Sequence, residues 1–179
     1  MKASGAFLEG HFQLTSGRHS GQYLEKFNLL QWPQYTELVC RKMGEWGRQF
    51  SPRTVAGPTT GGVLLAYEVA RVLGVRGIFC ETDEVAGGRS FQRGFKLEPG
   101  EPVLVVDDIV TTGGSLVDAI EAVRKAGGTP VGVAAVADRT GGRVDFGGLP
   151  FFAATDVVME SYEAAECPLC RAGVPLKVT

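Results

Sequence analysis

Two adjacent carboxylates, followed by hydroxyl and glycine residues, end an apolar stretch in the middle of the chain. From Val103 to Leu116 the sequence reads Val-Leu-Val-Val-Asp-Asp-Ile-Val-Thr-Thr-Gly-Gly-Ser-Leu. We interpret it as a buried parallel strand that delivers Asp107 and Asp108 to a short loop, from which a helix begins. Backbone N–H groups, hydroxyls and the positive end of the helix dipole suit such a loop to a phosphate monoester.

The two aspartates need a different role, because carboxylates repel a phosphate. Ribose hydroxyls can donate hydrogen bonds to Asp107 and Asp108, and the same charges would stabilise positive charge that develops on a sugar. A loop that accepts a phosphate on one side and a sugar on the other predicts a ribose-5-phosphate site. The segment lacks the Gly-Lys-[Ser/Thr] ending of a P-loop, so it is not a loop of that kind.

This segment resembles the phosphoribosyl pyrophosphate (PRPP) signature of the type I phosphoribosyltransferases. A second glycine-rich stretch, from Ala56 to Gly62, resembles the pyrophosphate loop of that family. The resemblance implies Mg²⁺ as a cofactor, bound mainly through substrate oxygens rather than by protein ligands. It also implies that PRPP is bound by Asp107, Asp108, Ile109, Val110, Thr111, Thr112, Gly113, Gly114, Ser115, Thr59 and Thr60.

The N-terminal region and one arginine indicate the acceptor base. The run from Phe12 to Tyr23 (Phe-x-Leu-x-Ser-Gly-x-x-Ser-x-x-Tyr) resembles the N-terminal hood of the orotate phosphoribosyltransferases. Orotate is a planar anion, and Arg139 offers a bidentate fork for its carboxylate. The resemblance implies orotate binding by Thr111, Arg139 and Tyr23, and a reaction of PRPP with orotate in pyrimidine biosynthesis. A purine or uracil phosphoribosyltransferase and a non-catalytic PRPP-sensing regulator remain alternatives.

A polar, glycine-rich stretch from Glu81 to Gly100 predicts a long loop or a mobile two-strand flap. Its cations Arg89, Arg93 and Lys96 could neutralise the charge that gathers on a departing pyrophosphate. In the family this loop closes over the site, often that of the neighbouring subunit. The resemblance therefore implies a homodimer with a shared flap, and which of the three cations is catalytic stays open.

Composition limits the class of protein. The chain has 179 residues, of which 44% are hydrophobic and 21% charged, as is ordinary for soluble globular proteins. With 18 basic and 20 acidic residues there is no basic footprint, so nucleic acid is not expected as a partner. No apolar run has the length of a membrane span. We therefore expect a cytoplasmic protein without membrane partners.

Apolar runs alternate with stretches of helical periodicity, which predicts an α/β fold with a mostly parallel central sheet flanked by helices. We expect a single domain over residues 1–179, with a core at about 33–158 and a small hood at about 5–32 plus the C-terminal segment. Strands are predicted at Thr54–Gly57, Val75–Cys80, Pro102–Asp107, Val131–Ala137 and Phe151–Thr155, and helices at Pro33–Phe50, Val63–Leu73 and Ser115–Ala126.

The last two of four cysteines form the sequence Cys-Pro-Leu-Cys at Cys167 and Cys170. A zinc site usually takes four ligands, and neither a second cysteine pair nor a histidine lies nearby in the sequence. We therefore expect two reduced thiols in a C-terminal turn and no metal held by the protein.

Overall fold

The computed structural model describes residues 4–179, which form two compact units. The strands are β1 (Phe7–Gln13), β2 (His19–Leu24), β3 (Thr54–Pro58), β4 (Arg76–Thr82), β5 (Arg89–Ser90), β6 (Pro102–Val110), β7 (Thr129–Asp138), β8 (Phe151–Asp156) and β9 (Lys177–Val178). The helices are α1 (Phe27–Leu30), α2 (Pro33–Gly47), α3 (Gly61–Leu73), α4 (Gly114–Lys125) and α5 (Pro168–Arg171), with short 3-10 turns at Arg48–Phe50 and Ala164–Glu166. Within residues 4–179, no helix combines the length and apolar character that crossing a bilayer requires.

The larger unit, Pro33–Val157, is built on a six-stranded sheet in the order β5-β4-β3-β6-β7-β8. Its neighbouring strands from β4 to β8 pair in parallel, and the short strand β5 pairs antiparallel with β4. Strand β3 is buried along its whole length and β6 nearly so, as parallel strands covered by helices usually are. The predicted mostly parallel sheet is confirmed.

Strand β6 carries helices on both of its faces. Val103 and Val105 belong to the apolar cluster that includes the buried side of α4. Leu104 points the other way, where a Cβ on Gly47 of α2 would come within 2.6 Å of its side chain. On α4 the buried residues recur at helical spacing, namely Leu116, Ala119, Ile120, Ala122 and Val123.

The smaller unit, called the hood below, contains the described residues up to Trp32 together with Val158–Thr179. Strands β1 and β2 form an antiparallel hairpin with a bulge between Glu9 and Phe12. Strand β9 adds to β1 in parallel. The buried apolar residues of the hood are Ala6, Phe12, Leu24, Leu29, Leu30 and Cys167.

Strand β6 ends three residues later than predicted, at Val110 rather than Asp107. Its pairing with β7 continues as far as Val110 opposite Asp138. Asp107 and Asp108 are therefore strand residues, and only 8% and 6% of their surfaces are exposed.

A buried carboxylate connects the amino ends of neighbouring strands. Glu101 accepts hydrogen bonds from the hydroxyl of Thr54 at the start of β3 and, at 3.0 Å, from the guanidinium of Arg76 at the start of β4. The backbone N–H of Glu98 donates to its other oxygen at 2.9 Å. Burial raises the pKa of Glu101, but these bonds outweigh it and hold that pKa below its usual value.

Replacing Glu101 with Gln should lower the free energy of unfolding by about 1–3 kcal/mol, because the amide leaves buried donors without an acceptor. The pKa of Glu101 in the folded protein lies below its unperturbed value of 4.5. The carboxylate therefore stabilises the fold fully above pH 4.5, and this stabilisation is lost as the pH falls through the folded pKa. Urea unfolding measured from about pH 7 down to about pH 3 should show the gap between wild type and variant closing.

Glu121→Gln, on the exposed side of α4, is the control and should cost less than about 1 kcal/mol. A gap between wild type and Glu101→Gln that stays constant with pH would contradict the role assigned to the Glu101 carboxylate.

Candidate active site

Loops that follow three neighbouring strands lie together at the carboxyl edge of the core sheet. The first loop, Thr59 and Thr60, joins β3 to α3, and the second loop, Thr111 to Gly113, joins β6 to α4. Arg139 follows β7, and its backbone N–H donates to the carbonyl of Val110 at 2.9 Å. Open α/β sheets bind their ligands at this edge.

The second loop borders a cavity of about 140 Å³. Gly113 has a φ of +84°, and a Cβ there would come within 2.7 Å of Val144, so the turn requires glycine. All predicted PRPP residues of this segment except Asp108 line the cavity, together with the first apolar residue of α4: Asp107, Ile109, Val110, Thr111, Thr112, Gly113, Gly114, Ser115 and Leu116. The amino end of α4 favours an anion at this position.

Asp107 and Asp108 face opposite sides of the sheet, because neighbouring residues of a strand alternate. Asp107 lines the cavity of the second loop. Asp108 lies against the first turn of α3, where a Cβ on Gly61 would come within 2.0 Å of its Oδ2 atom. Glycine at position 61 is therefore needed to leave room for the carboxylate. Each loop has one buried carboxylate beside it.

Arg89, on β5, connects the two loops. Its guanidinium donates to the hydroxyl of Thr59 at 3.2 Å and to the hydroxyl of Ser115 at 3.3 Å. Thr59 belongs to the first loop and Ser115 to the first turn of α4, so one positive charge lies between both helix amino ends. Of the three predicted flap cations, Arg89 is the one that contacts the loops of its own chain.

The other two flap cations have different surroundings. Arg93 donates two hydrogen bonds to the carboxylate of Glu81, at 2.8 and 2.9 Å, and thereby lowers the pKa of Glu81. Lys96 is exposed, and its carbonyl accepts a hydrogen bond from Arg76 at the amino end of β4. Because the loops lie at the carboxyl ends of the strands, the structure does not bring Lys96 to the loops of its own chain.

The flap is a hairpin with apolar anchors. Strands β4 and β5 pair antiparallel, so the expected two-strand form is present. Phe91 and Phe95 pack against the core cluster, and the ring of Phe95 meets that of Phe79 with centroids 5.2 Å apart. The tip of the hairpin, residues 84–88, is exposed at every position.

Arg139 is half-buried and belongs to a tightly hydrogen-bonded turn. The side chain of Asp138 accepts hydrogen bonds from the backbone N–H groups of Thr140 at 2.7 Å and Gly142 at 3.0 Å. Burial raises the pKa of Asp138, but the hydrogen bonds outweigh it and bring that pKa below its usual value. The ionised carboxylate therefore holds the backbone that follows Arg139.

Tyr23, the remaining predicted orotate contact, belongs to the hood. It lies on β2 opposite Leu8, and its ring packs against Phe12 with centroids 5.6 Å apart. Its contact with a base stays a prediction.

Known proteins resemble this chain along most of its length. Residues 27–146 match the family model of the phosphoribosyl transferase domain. An orotate phosphoribosyltransferase from Pelotomaculum thermopropionicum is 47% identical over 172 residues, which cover 96% of this chain and 89% of the relative. The crystal structure of the orotate phosphoribosyltransferase from Aeropyrum pernix has a TM-score of 0.71 at 28% identity, covering 87% of this chain and 90% of that one. For the Mycobacterium tuberculosis H37Rv enzyme in complex with PRPP, the TM-score is 0.64 at 26% identity, with coverages of 80% and 85%.

Proposed function

The chain belongs to the phosphoribosyltransferase family, and from that premise we propose that it is an orotate phosphoribosyltransferase. It transfers the phosphoribosyl group of PRPP to orotate, giving orotidine 5′-phosphate and pyrophosphate in pyrimidine biosynthesis. The observation that carries this proposal is the pair of anion-binding loops at one sheet edge, each with a buried carboxylate beside it. The relative from Pelotomaculum supports the choice of orotate.

We propose that the second loop binds the 5-phosphate of PRPP and that the first loop binds its pyrophosphate. PRPP carries negative charge at both ends of a ribose, so it needs two anion sites separated by a sugar site. Thr111 to Ser115 supply hydroxyls and the amino end of α4, and Thr59 and Thr60 precede the amino end of α3. Both helix ends favour negative charge.

Asp107 and Asp108 are proposed to hold the ribose between the loops. The bond from the anomeric carbon to pyrophosphate breaks while a nitrogen of orotate bonds to the same carbon, and the proton of that nitrogen passes to the departing pyrophosphate. The sugar becomes positively charged in this transition state, which resembles an oxocarbenium ion, and the two carboxylates stabilise that charge. No side chain needs to act as a nucleophile, since the orotate nitrogen attacks directly. Positioning both reactants can lower the activation barrier by about 7–11 kcal/mol.

The departing pyrophosphate gathers negative charge that cations must balance. Arg89, which donates to a hydroxyl beside each loop, is placed to contribute. We propose Mg²⁺ as the cofactor, since the carboxylates of Asp107 and Asp108 and the oxygens of PRPP are the hard ligands that it prefers. When bound, it would neutralise pyrophosphate charge and be held mainly through the substrate.

Arg139 is proposed to bind the carboxylate of orotate through two parallel hydrogen bonds. Its backbone is hydrogen-bonded to Val110, the residue before Thr111, which supports a base position beside the second loop. Thr111 and Tyr23 are proposed as further orotate contacts.

We also propose that the protein is cytoplasmic and acts on PRPP and orotate without nucleic-acid or membrane partners. None of the four cysteines forms a disulfide, which fits a reducing compartment. The formal net charge of −2 gives no general attraction to nucleic acid or to anionic lipid.

An assay of base consumption tests the proposed function and its base specificity. The purified protein with PRPP and Mg²⁺ should consume orotate, followed by its ultraviolet absorbance, and leave adenine, hypoxanthine and uracil unchanged. If the protein consumes one of the other bases instead, that base and not orotate is its substrate. PRPP binding without turnover of any of the four bases would favour a regulator.

In the same assay, Arg139→Ala should raise the KM for orotate by one to several orders of magnitude, because its carboxylate loses a partner worth about 2–5 kcal/mol. The KM for PRPP should change little. Arg143→Ala, which removes an exposed arginine four residues along the chain, is the control. If Arg139→Ala binds orotate as tightly as wild type, another residue anchors the carboxylate.

Asp108→Asn should lower kcat more than it raises the KM for PRPP, because the lost charge acts most strongly in the transition state. Gly61→Ala should act in the same direction, since its Cβ would displace the Asp108 carboxylate. Asp118→Asn, on the exposed side of α4, should keep wild-type values. Steady-state kinetics measure kcat and KM for the three folded variants and for wild type. An unchanged kcat in Asp108→Asn would contradict the proposal that Asp108 stabilises the transition state.

We propose a homodimer in which each flap serves the partner's site through Arg93. Two-fold dimers are the commonest oligomers of soluble proteins. The Arg93 side chain is 65% exposed and pairs with Glu81. It could therefore leave Glu81 and bind the pyrophosphate at the partner's site without being drawn out of a buried position. Arg89 contacts the loops of its own chain and is proposed to act there.

Mixing inactive variants shows whether Arg93 and Arg89 act at the partner's site or at the site of their own chain. Arg93→Ala and Asp108→Asn, mixed under conditions of subunit exchange, should recover up to about a quarter of wild-type activity, because one site per heterodimer is complete. Arg89→Ala mixed with Asp108→Asn should recover none. Native mass spectrometry reports the exchange. Exchange without recovery in the first mixture would place Arg93 at its own chain's site, and recovery in the second would show that Arg89 acts across the interface.

A further inference from the structure

Four side chains of metal-ligating type converge within the hood. His11 lies in the bulge of β1 and His19 begins β2, whereas Cys167 directly precedes α5 and Cys170 lies on it. One ligand atom from each of the four residues lies within 4.8 Å of all the others. His11, His19 and Cys167 are buried, and Cys170 is exposed.

We propose that these four residues bind one structural zinc ion. Imidazole nitrogen and thiolate sulfur are the ligands that zinc prefers, and structural zinc takes four of them in a tetrahedron. With all four positions filled by protein, no position is open for a substrate or a reactive water. The role of the ion is therefore to hold the hood together rather than to take part in catalysis.

Four of the six distances between the ligand atoms are close to those of a tetrahedral ion, and all six are within 4.8 Å. Bonds of about 2.0–2.1 Å to nitrogen and about 2.3 Å to sulfur place two nitrogens about 3.4 Å apart and a nitrogen and a sulfur about 3.6 Å apart. His11 Nε2 lies 3.1 Å from His19 Nδ1, 3.4 Å from Cys167 Sγ and 3.7 Å from Cys170 Sγ. Cys170 Sγ lies 3.3 Å from His19 Nδ1. Each value is within about 0.3 Å of the tetrahedral one.

Hydrogen bonds among the four groups do not account for this arrangement. His11 Nδ1 lies 2.8 Å from the carbonyl oxygen of Val174, so it carries a proton and leaves Nε2 with a lone pair. That single lone pair faces three neighbours, His19 Nδ1 and the two sulfurs. One nitrogen can accept along one direction, whereas a cation at the centre accepts an electron pair from all four groups. The bond to Val174 is also the outer contact that usually orients a metal-bound histidine.

The spacing favours one zinc ion over other metals. A two-iron cluster with two cysteines and two histidines would bind the two residue types on different irons. Here the two nitrogens and two sulfurs all lie within 4.8 Å of one another, as the ligands of a single ion do. Thiolate ligands also exclude Mg²⁺, which prefers oxygen.

The connectivity of the hood shows what such an ion would stabilise. His11 and Cys167 are separated by 156 residues along the chain, so the ion would join the N-terminal hairpin to the C-terminal segment. The apolar residues buried in the hood are few, and units of this size commonly depend on a metal or disulfide to stay folded. Zinc binding would then contribute directly to the folding free energy of the hood.

Metal analysis of the untagged wild-type protein, expressed with zinc in the medium and purified without chelator, tests the proposal. We expect about one zinc per chain by mass spectrometry of the metal. Cys170→Ser and His19→Ala should each lower that ratio at least tenfold. Cys40→Ala removes a buried cysteine of the core unit and should retain the full zinc content.

A second measurement uses only the wild-type protein, so it does not depend on whether the variants fold. Wild-type protein stripped of zinc and reloaded with Co²⁺ should show the absorption bands of tetrahedral, thiolate-bound cobalt, and chelation should lower its Tm. Two results would overturn the proposal: a wild-type chain that carries no zinc and gives no cobalt bands, or one whose mass shows the loss of two hydrogens in a Cys167–Cys170 disulfide. Zinc retained by both ligand variants would place the ion elsewhere and would equally overturn it.

Discussion

The alternation of side chains along β6 determines the geometry of the candidate active site. Consecutive strand residues point to opposite faces of the sheet, so two adjacent acids cannot face the same loop. Pairing with β7 as far as Val110 keeps Asp107 and Asp108 inside the strand. One carboxylate therefore meets the loop before α4, and the other meets the first turn of α3. This one strand end therefore places a buried carboxylate beside each of the two loops.

Carboxylates beside anion-binding loops create a repulsion that other charges must offset. The amino ends of α3 and α4 supply positive potential at the loops, and Arg89 adds a full charge where it bridges Thr59 and Ser115. The two carboxylates can accept hydrogen bonds from hydroxyl groups and stabilise positive charge. Such a site is complementary to a molecule that is negative at both ends and becomes positive in the middle as it reacts, which is the charge distribution that transition-state stabilisation requires here.

The sequence was sufficient to predict the main strands and helices of the core unit and the residues of the second loop, because periodicity and local motifs encode both. The short elements β5, β9, α1 and α5 carry too few residues for a periodic pattern. The sequence could not predict that β6 continues to Val110, since the cause is a neighbouring strand. It also could not predict that Arg93 pairs with Glu81, because the pairing of β4 with β5 brings these two residues together. The approach of His11 to Cys167 could not be predicted, because the hood brings together residues that are 156 positions apart in the sequence.

The two units rest on different sources of stability. The core unit, Pro33–Val157, is one continuous segment whose central strands are buried between helices. The hood joins both ends of the chain around a handful of apolar residues and the four ligands. If zinc supplies much of the hood's folding free energy, its loss acts on the hood while the apolar contacts of the core sheet stay intact.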